Sequence, residues 1–336
     1  MQKAVFIIGP TAVGKTQLSI KLAEHFNGAV ISADSVHVYK NLSIISGKDI
    51  PGDSSFVSLK DKFKNSNINF GYYLVSGVPI YMVNLVDVAA DFSVSQFFNT
   101  ALLYLNNIFE QNKLTIITGG SGLYINSILN PIDTLNIKPN PKLRKRLESL
   151  EISALLEEIK RLDNFFYLSL NESERKNKRR LVRKIEILLG GNKAEKTGVK
   201  IDPLVIGLKI KKEKHNKLIK KRIKERLKTG AVAEVVNLYK NYDNLSPQVR
   251  NTIGYKEFFE YFKGEVTLKE AINNWEKSEL KLVKKQNTWF KRDKRTKWFE
   301  ADRSDLFEAV KSEIDAFLGT VLTHDKILLK QESLLQ

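Results

Sequence analysis

Gly9-Pro10-Thr11-Ala12-Val13-Gly14-Lys15-Thr16 decides how this chain is read. The stretch follows an apolar run, Ala4-Val5-Phe6-Ile7-Ile8, and precedes an amphipathic segment, Gln17 to Phe26. The order is therefore strand, glycine-rich loop, helix, with the spacing Gly-x-x-x-x-Gly-Lys-Thr. Gly9 and Gly14 permit backbone conformations barred to residues with a Cβ. The N–H groups of Pro10-free positions Thr11, Ala12 and Val13 can then face a phosphate at the positive end of the following helix. Lys15 adds a point charge, and Thr16 offers a hydroxyl to Mg²⁺. A glycine loop that binds nothing is the alternative, and the strand-loop-helix context weighs against it. The chemistry specifies phosphate oxygens and a cation; a diphosphate on any leaving group would fit.

Around this loop, the composition is that of a soluble globular chain: 336 residues, 42% hydrophobic and 28% charged. With no cysteine, disulfides, thiolate metal sites and cysteine nucleophiles are excluded. His25, His37, His215 and His324 show no zinc-ligand spacing. Met1-Gln2-Lys3 runs straight into the first strand without a signal-peptide pattern, and no apolar run is long enough to span a bilayer. The expectation is a cytoplasmic protein, acting as a monomer.

Charge is distributed unevenly. Up to Ile132 there are nine Lys and no Arg against eight acidic residues, leaving +16 of the formal +17 to the remainder, with every arginine. Such concentration fits a polyanionic partner, most simply nucleic acid. Solvated lysine-rich helix faces are the other reading.

Further along, Gly28-Ala29-Val30-Ile31-Ser32-Ala33-Asp34-Ser35 reads as a strand with polar residues at its C-terminal end, where an open parallel sheet lines its ligand crevice. Lys48 to Asn69 is polar, with turn signals at Pro51-Gly52 and Asn65-Ser66-Asn67. Ile80 to Asp87 reads as a strand, Ser93 to Asn112 as a helix capped by Ser93, and Leu114 to Thr118 as a strand. Gly119-Gly120-Ser121-Gly122 then turns into a helix, Leu123 to Leu129. The alternation predicts an α/β fold with a parallel sheet flanked by helices. Asn130-Pro131 and Pro139-Asn140-Pro141 break it, and Lys142 to Leu189 is helical and basic, an inserted all-helical subdomain ended by Gly190-Gly191-Asn192. Leu204 to Leu208 looks like a strand returning to the sheet. Two long helices with a break at Gly254, a helical pattern over Leu268 to Arg292 and a last strand at Thr296 to Phe299 follow. The last twelve residues read as a fraying tail.

Asp34 is the best candidate for a general base. A carboxylate there could also orient magnesium-bound water or cap a helix. Ser121 in the second glycine turn could bond a ligand, or the turn could be only a tight connection. Arg175 to Lys184 is basic at seven of ten positions; Arg179, Arg180 and Arg183 could clamp phosphates or coat a solvated face. Lys284 to Arg292 interleaves basic and aromatic residues as RNA-binding surfaces do, though adjacent Trp289 and Phe290 also suit a core. Asp87 could be a magnesium-side carboxylate or a loop aspartate.

Taken in order, these stretches resemble the tRNA dimethylallyltransferase family, also called tRNA isopentenyltransferase. The resemblance rests on Gly9 to Thr16, Ile31-Ser-Ala-Asp-Ser35, Tyr39, Gly119-Gly-Ser-Gly-Leu-Tyr124, Arg180-Leu-Val-Arg-Lys-Ile-Glu186, Ile253-Gly-Tyr-Lys-Glu257 and Lys285-Gln-Asn-Thr-Trp-Phe-Lys-Arg292, and spans residues 4 to about 300. It implies a P-loop NTPase-like core over residues 1–135 and 200–320, a tRNA-contacting helical insertion over 136–199 and a tail over 321–336. It implies transfer of a dimethylallyl group from dimethylallyl diphosphate to the exocyclic N6 amine of the adenosine beside the anticodon, in tRNAs reading codons that begin with U. The phosphate loop Gly9, Pro10, Thr11, Ala12, Val13, Gly14, Lys15 and Thr16 would hold the donor diphosphate, with Mg²⁺ by Thr16; Thr11, Lys15 and Asp34 would be catalytic, Asp34 taking the proton of the attacking amine. The anticodon stem-loop would contact Asp34, Ser35, Val36, His37, Ser121, Arg144, Arg179, Arg180, Arg183, Tyr255, Lys256, Lys285, Gln286 and Arg292.

The chain departs from the family pattern in places. His37 stands where Gln is usual, and the usual Ile-Gly-Thr-Ala-Lys-Pro reads Ile44-Ile45-Ser46-Gly47-Lys48-Asp49. The usual Val-Pro-His-His-Leu is Val78-Pro79-Ile80-Tyr81-Met82, and the final Arg-Gln is Lys285-Gln286. Altered base recognition is expected around His37 and Ser46. Rival readings are a P-loop kinase of a small molecule or nucleotide, prenyl transfer to free adenine nucleotide, and an RNA-binding protein with a relic phosphate loop. The kinase does not require the basic second half; the relic does not require Lys15, Thr16 and Asp34 together.

Overall fold

A run of apolar residues at the N-terminus forms the centre of the sheet. In the strand Gln2–Ile8 (β1), Ala4 to Ile8 are all but inaccessible to solvent, because helices cover both faces of a parallel strand. The computed structural model describes residues 1–48, 50–59, 68–131, 134, 137, 140–190 and 200–332, with side chains as far as 319. The expected turns at Asn65-Ser66-Asn67 and Gly191-Asn192, Pro139, and residues 333–336 lie outside them.

The chain divides into two compact units, Met1–Leu129 with Val199–Gln336, and Asn130–Gly198. In the first, β1 is followed by Lys15–His25 (α1), Ala29–Ser32 (β2), Ser55–Ser58 (β3), Gly71–Val75 (β4), Val78–Tyr81 (β5), Val94–Glu110 (α2), Thr115–Gly119 (β6) and Gly122–Leu129 (α3). The sheet order is β3-β4-β5-β2-β6-β1, continued by two strands from the second half of the chain. β1, β2, β5 and β6 run parallel, as expected, but β4 pairs antiparallel with both β3 and β5. The sheet is thus mixed at one edge. The hairpin arises where the polar stretch predicted no strand: β3 is only half-buried, so it lacks an apolar signature. The strand expected over Ile80–Asp87 ends at Tyr81, because Met82 and Asn84 adopt left-handed φ values of 66° and 53°. α2 begins where expected. Ser93 Oγ accepts the Gln96 N–H at 3.2 Å and Gln96 Oε1 accepts the Ser93 N–H at 2.9 Å, a reciprocal cap.

The second unit contains Pro141–Glu148 (α4), Ile152–Leu162 (α5), Asn164–Ser169 (α6), Glu172–Arg175 (α7) and Lys178–Leu189 (α8). Side chains of Asn140, Asp163, Asn171 and Asn177 cap four of these starts. Leu147, Leu155, Ile159, Leu170, Leu181, Val182 and Ile185 form its core. Glu186 lies at the edge of that core with its side chain 1% exposed. It accepts from Arg144 Nε and Nη2 at 3.0 and 2.8 Å, from the Asn140 N–H at 2.5 Å, and from Arg183 Nη1 at 2.5 Å. Burial raises its pKa, but the bonds from Arg144, Asn140 and Arg183 outweigh that and hold it below the usual 4.5. The folded state therefore binds this proton less readily than the unfolded chain. The resulting stability is present above about pH 4.5 and is lost as pH falls through the lower folded value. Amide protection factors at Leu181–Glu186, taken against the intrinsic exchange rate at each pH, should fall on acidification in the wild type. Glu186→Gln should show lower protection at neutral pH and little further fall with acid; an acid step in protection retained in that variant would contradict the assignment.

The chain returns to the first unit as Ile201–Lys209 (β7), which pairs parallel to β1, followed by Lys212–Lys228 (α9), Ala231–Tyr239 (α10), Pro247–Arg250 (α11), Tyr255–Phe262 (α12), Leu268–Phe290 (α13), Lys297–Glu300 (β8) and Leu306–Glu332 (α14). β8 closes the far edge against β7. The second of the two expected helices is thus several short ones, α10 to α12. The expected tail is helix as far as Glu332: Val310 and Ile314 enter the core between α1 and the sheet, and the same helix carries on.

Candidate active site

The loop between β1 and α1 requires unusual backbone. Gly9, Ala12 and Gly14 have φ of 146°, 61° and 82°. A Cβ on Gly9 would lie 2.5 Å from the Leu208 carbonyl oxygen, so β7 also excludes a side chain there. Ala12 holds a left-handed conformation without being glycine, a local strain of the kind that functional loops carry.

Three groups fix the loop. The Thr11 N–H donates to Gln286 Oε1 at 2.9 Å, and the Thr11 carbonyl accepts from His215 Nε2 at 2.8 Å. Lys15 Nζ folds back to the Pro10 carbonyl at 2.6 Å. Burial pushes Lys15 down to about 7; the Asp34 charge opposes this and Arg222 adds to it. Burial likewise holds His215 below its usual value, against the bond to Thr11, so the neutral ring donates through Nε2–H. Gln286 spans further: its Nε2 donates to the Gly120 carbonyl at 2.9 Å. One amide joins the two glycine turns.

Asp34 and Ser121 meet at the ends of β2 and β6. Asp34 Oδ1 accepts the Val36 N–H at 3.0 Å, leaving Oδ2 without a hydrogen-bond donor among the described residues. Ser121 Oγ accepts the Ser35 N–H at 2.9 Å. A Cβ on Gly119 would come within 2.2 Å of the Ala33 carbonyl oxygen, so the second glycine turn is needed to seat β6 against this segment. His37 is buried, its Nδ1 3.0 Å from Ser32 Oγ.

Other expected contacts fall elsewhere. Gln286 is buried between the loops, and Tyr255 is fully buried, donating to Glu234 Oε1 at 2.6 Å; neither is an exposed RNA contact. Arg144 and Arg183 are engaged with Glu186, whereas Arg179 and Arg180 are exposed and make no ion pair among the described residues. Lys256 and Lys285 are exposed. Phe290 is a core residue, but the half-open Trp289 lies against Gly122, where a Cβ would meet its ring at 2.3 Å, and carries the Arg292 guanidinium 5.7 Å from its centre. Asp87 Oδ1 accepts the Ala89 N–H at 3.1 Å, a loop role.

Sequence reasoning missed the supporting groups. Lys48 is buried, with Nζ on Asn84 Oδ1 at 2.5 Å and on the Tyr39 carbonyl; burial lowers it to about 7 against the charges of Glu234 and Asp34. Glu234 accepts the N–H groups of Ser43, Ile44 and Ile45 at 2.8, 2.8 and 3.1 Å. Gly47 has a left-handed φ of 65°, which favours glycine, and packs against the movable end of the Arg226 side chain. Only the mutual spacing of Lys48, Glu234 and Arg226 in three dimensions reveals them.

Among the described residues no cluster of three His, Asp or Glu is placed to hold a metal. The donors present fit magnesium in another way. Thr16 lies in the first turn of α1 beside Lys15, and Mg²⁺ commonly takes one protein oxygen with phosphate oxygens and water. No helix among the described residues is long and apolar enough to cross a membrane.

With this geometry in view, the chain matches the family model described as IPP transferase over residues 74–293 and that described as isopentenyl transferase over residues 2–60. It is 33% identical to a tRNA dimethylallyltransferase of Clostridioides difficile over 94% of this chain and 96% of the relative. It is 32% identical to one of Anoxybacillus flavithermus over 93% and 95%. A crystal structure of a tRNA isopentenylpyrophosphate transferase from Bacillus halodurans aligns with a TM-score of 0.66 and 29% identity, covering 98% of this chain and 99% of that one.

Proposed function

The chain belongs to the IPP transferase family, and from that premise we propose how its site works on tRNA. It is a transferase that moves a dimethylallyl group to tRNA, built on a P-loop NTPase-like fold. The donor is dimethylallyl diphosphate and the acceptor is N6 of the adenosine beside the anticodon, in tRNAs that read codons beginning with U. The observation that carries this reading is the juxtaposition of a phosphate loop with Asp34, whose charge is felt at Lys15. A base beside the loop would also serve phosphoryl transfer to a hydroxyl; the family match and the basic second half favour carbon transfer to tRNA.

In this mechanism the amine nitrogen forms a bond to the allylic carbon as the C–O bond to diphosphate breaks. Asp34 Oδ2 receives the N6 proton, while its Oδ1 stays on the Val36 N–H and holds the carboxylate still. Negative charge grows on the leaving diphosphate, where the loop amides, Thr11 and Lys15 stabilise it. Magnesium, when bound beside Thr16, supplies further positive charge to that leaving group. Ser121 braces the Ser35 amide beside the base. Arg179, Arg180, Lys256, Lys285 and Arg292, exposed or partly so, supply contacts to the anticodon stem-loop, supported by the basic second half of the chain. In this reading the enzyme acts in the cytoplasm as a monomer.

Purified protein incubated with unmodified tRNA, Mg²⁺ and labelled dimethylallyl diphosphate should label the tRNA. Label in free adenine nucleotide but not tRNA, or ATP-dependent phosphorylation of a small acceptor in its place, would overturn the reading.

A further inference from the structure

α9 has two dissimilar faces. His215, Ile219, Ile223 and Arg226 are buried, and on this side His215 reaches the Thr11 carbonyl. The opposite side presents Lys217, Lys220, Lys221, Lys224 and Lys228, all exposed, at spacings of three, four, seven and eleven residues from the first. That spacing places all five in one stripe, about 16 Å long at 1.5 Å per residue.

Two features describe this stripe. Its lysines are stacked on each other: Lys217 with Lys221, Lys220 with Lys224, and Lys224 with Lys228 are all four apart. Like charges at that spacing destabilise a helix. The stripe therefore opposes the helix that carries it. Neutralisation is also incomplete. Lys220 pairs with Glu276 at 3.2 Å and Lys221 with Glu225 at 3.8 Å, but Lys217, Lys224 and Lys228 have no carboxylate within 4 Å among the described residues. Other exposed lysines of the unit are unanswered too, so it is the alignment of these three along one stripe that sets them apart.

We infer that the α9 stripe is an additional docking surface for the sugar-phosphate backbone of the substrate tRNA, with Lys217, Lys224 and Lys228 as its phosphate contacts. The inference rests on the tRNA reading above. Charge complementarity selects the occupant, since a polyanion supplies the counter-charges that the protein withholds. The same helix that holds the phosphate loop through His215 carries the stripe on its outer side. The contacts are to phosphate and carry no sequence information; they add affinity and orientation.

The test replaces Lys217, Lys224 and Lys228 together by alanine, a good helix former. Equilibrium binding of intact tRNA is measured across salt concentrations, alongside steady-state kinetics. A control triple removes the same charge elsewhere on the first unit, at exposed Lys21, Lys240 and Lys269. With about 0.7–0.9 counterions released per phosphate contact, the log–log salt slope should become shallower by about two in the α9 variant. Its KM for tRNA should rise roughly tenfold at low salt. Its KM for dimethylallyl diphosphate and kcat at saturating tRNA should stay within about twofold, and the control triple should retain the wild-type slope. A wild-type slope in the α9 variant, or an equal loss in the control, would return the stripe to a solvated face. Failure of the wild type itself to bind tRNA would instead sink the functional reading.

Discussion

Asp34→Asn is expected to lower kcat by about 10²–10⁴-fold, the usual contribution of a positioned general base. Asparagine is the informative replacement because its Oδ1 can still accept the Val36 N–H at the position Asp34 uses. The turn, and with it the Ser35 amide held by Ser121, survives. What is lost is the ability of the second oxygen to take a proton. Binding of tRNA and of dimethylallyl diphosphate should therefore change by less than about threefold, a fraction of the catalytic loss. If the variant turned over at a rate close to wild type, Asp34 would be a capping residue only. If affinity for tRNA collapsed together with rate, the residue would be holding the acceptor surface and not the proton.

Lys15→Met should reduce kcat/KM for the donor by about 10²–10³-fold, as removing a preorganised charge from a growing anion does. The lysine also has a proton signature. Without ligand its pKa is about 7, mainly through burial. An incoming diphosphate surrounds it with negative charge and raises that value. At pH 8.5 the free enzyme holds Lys15 mostly neutral, so donor binding should take up close to one proton; below about pH 6 the lysine is already charged and uptake should vanish. Calorimetry in buffers of different ionisation enthalpy measures this directly. Lys15→Met should abolish the uptake, and an unchanged proton count in that variant would place the titration on another group, Lys48 being the nearest in character.

The placement of the phosphate loop and of Asp34 was legible because short-range rules govern it. Glycine spacing, a following helix and strand C-termini suffice to bring Gly9–Thr16, Asp34 and Ser121 to one crevice, and they do so here. The parts that escaped depend on distant partners. Gln286 reads as one polar residue in a basic-aromatic run, yet its neighbours are Thr11 and Gly120. Tyr255 lies in a stretch with exposed Lys256, and only packing against Glu234 shows that it faces inward. Arg144 and Arg183 looked equivalent to Arg179 and Arg180 until Glu186 separated them. The β3–β4 hairpin failed to register for a different reason: an edge pair that is half-exposed needs little apolar sequence.

The double hold on Thr11 has a consequence for the way the enzyme is made. The donor loop leaves the ribosome among the first residues of the chain, but its two holders lie 204 and 275 residues further on. At roughly 10 residues per second, close to half a minute separates synthesis of the loop from that of Gln286. A nascent chain ending before α13 has the glycine motif complete in sequence but lacks the amide that links it to the Gly120 turn. On the proposed reading, the loop reaches the form that holds dimethylallyl diphosphate only at the end of translation, so an abandoned N-terminal fragment should bind the prenyl donor more weakly than the full chain.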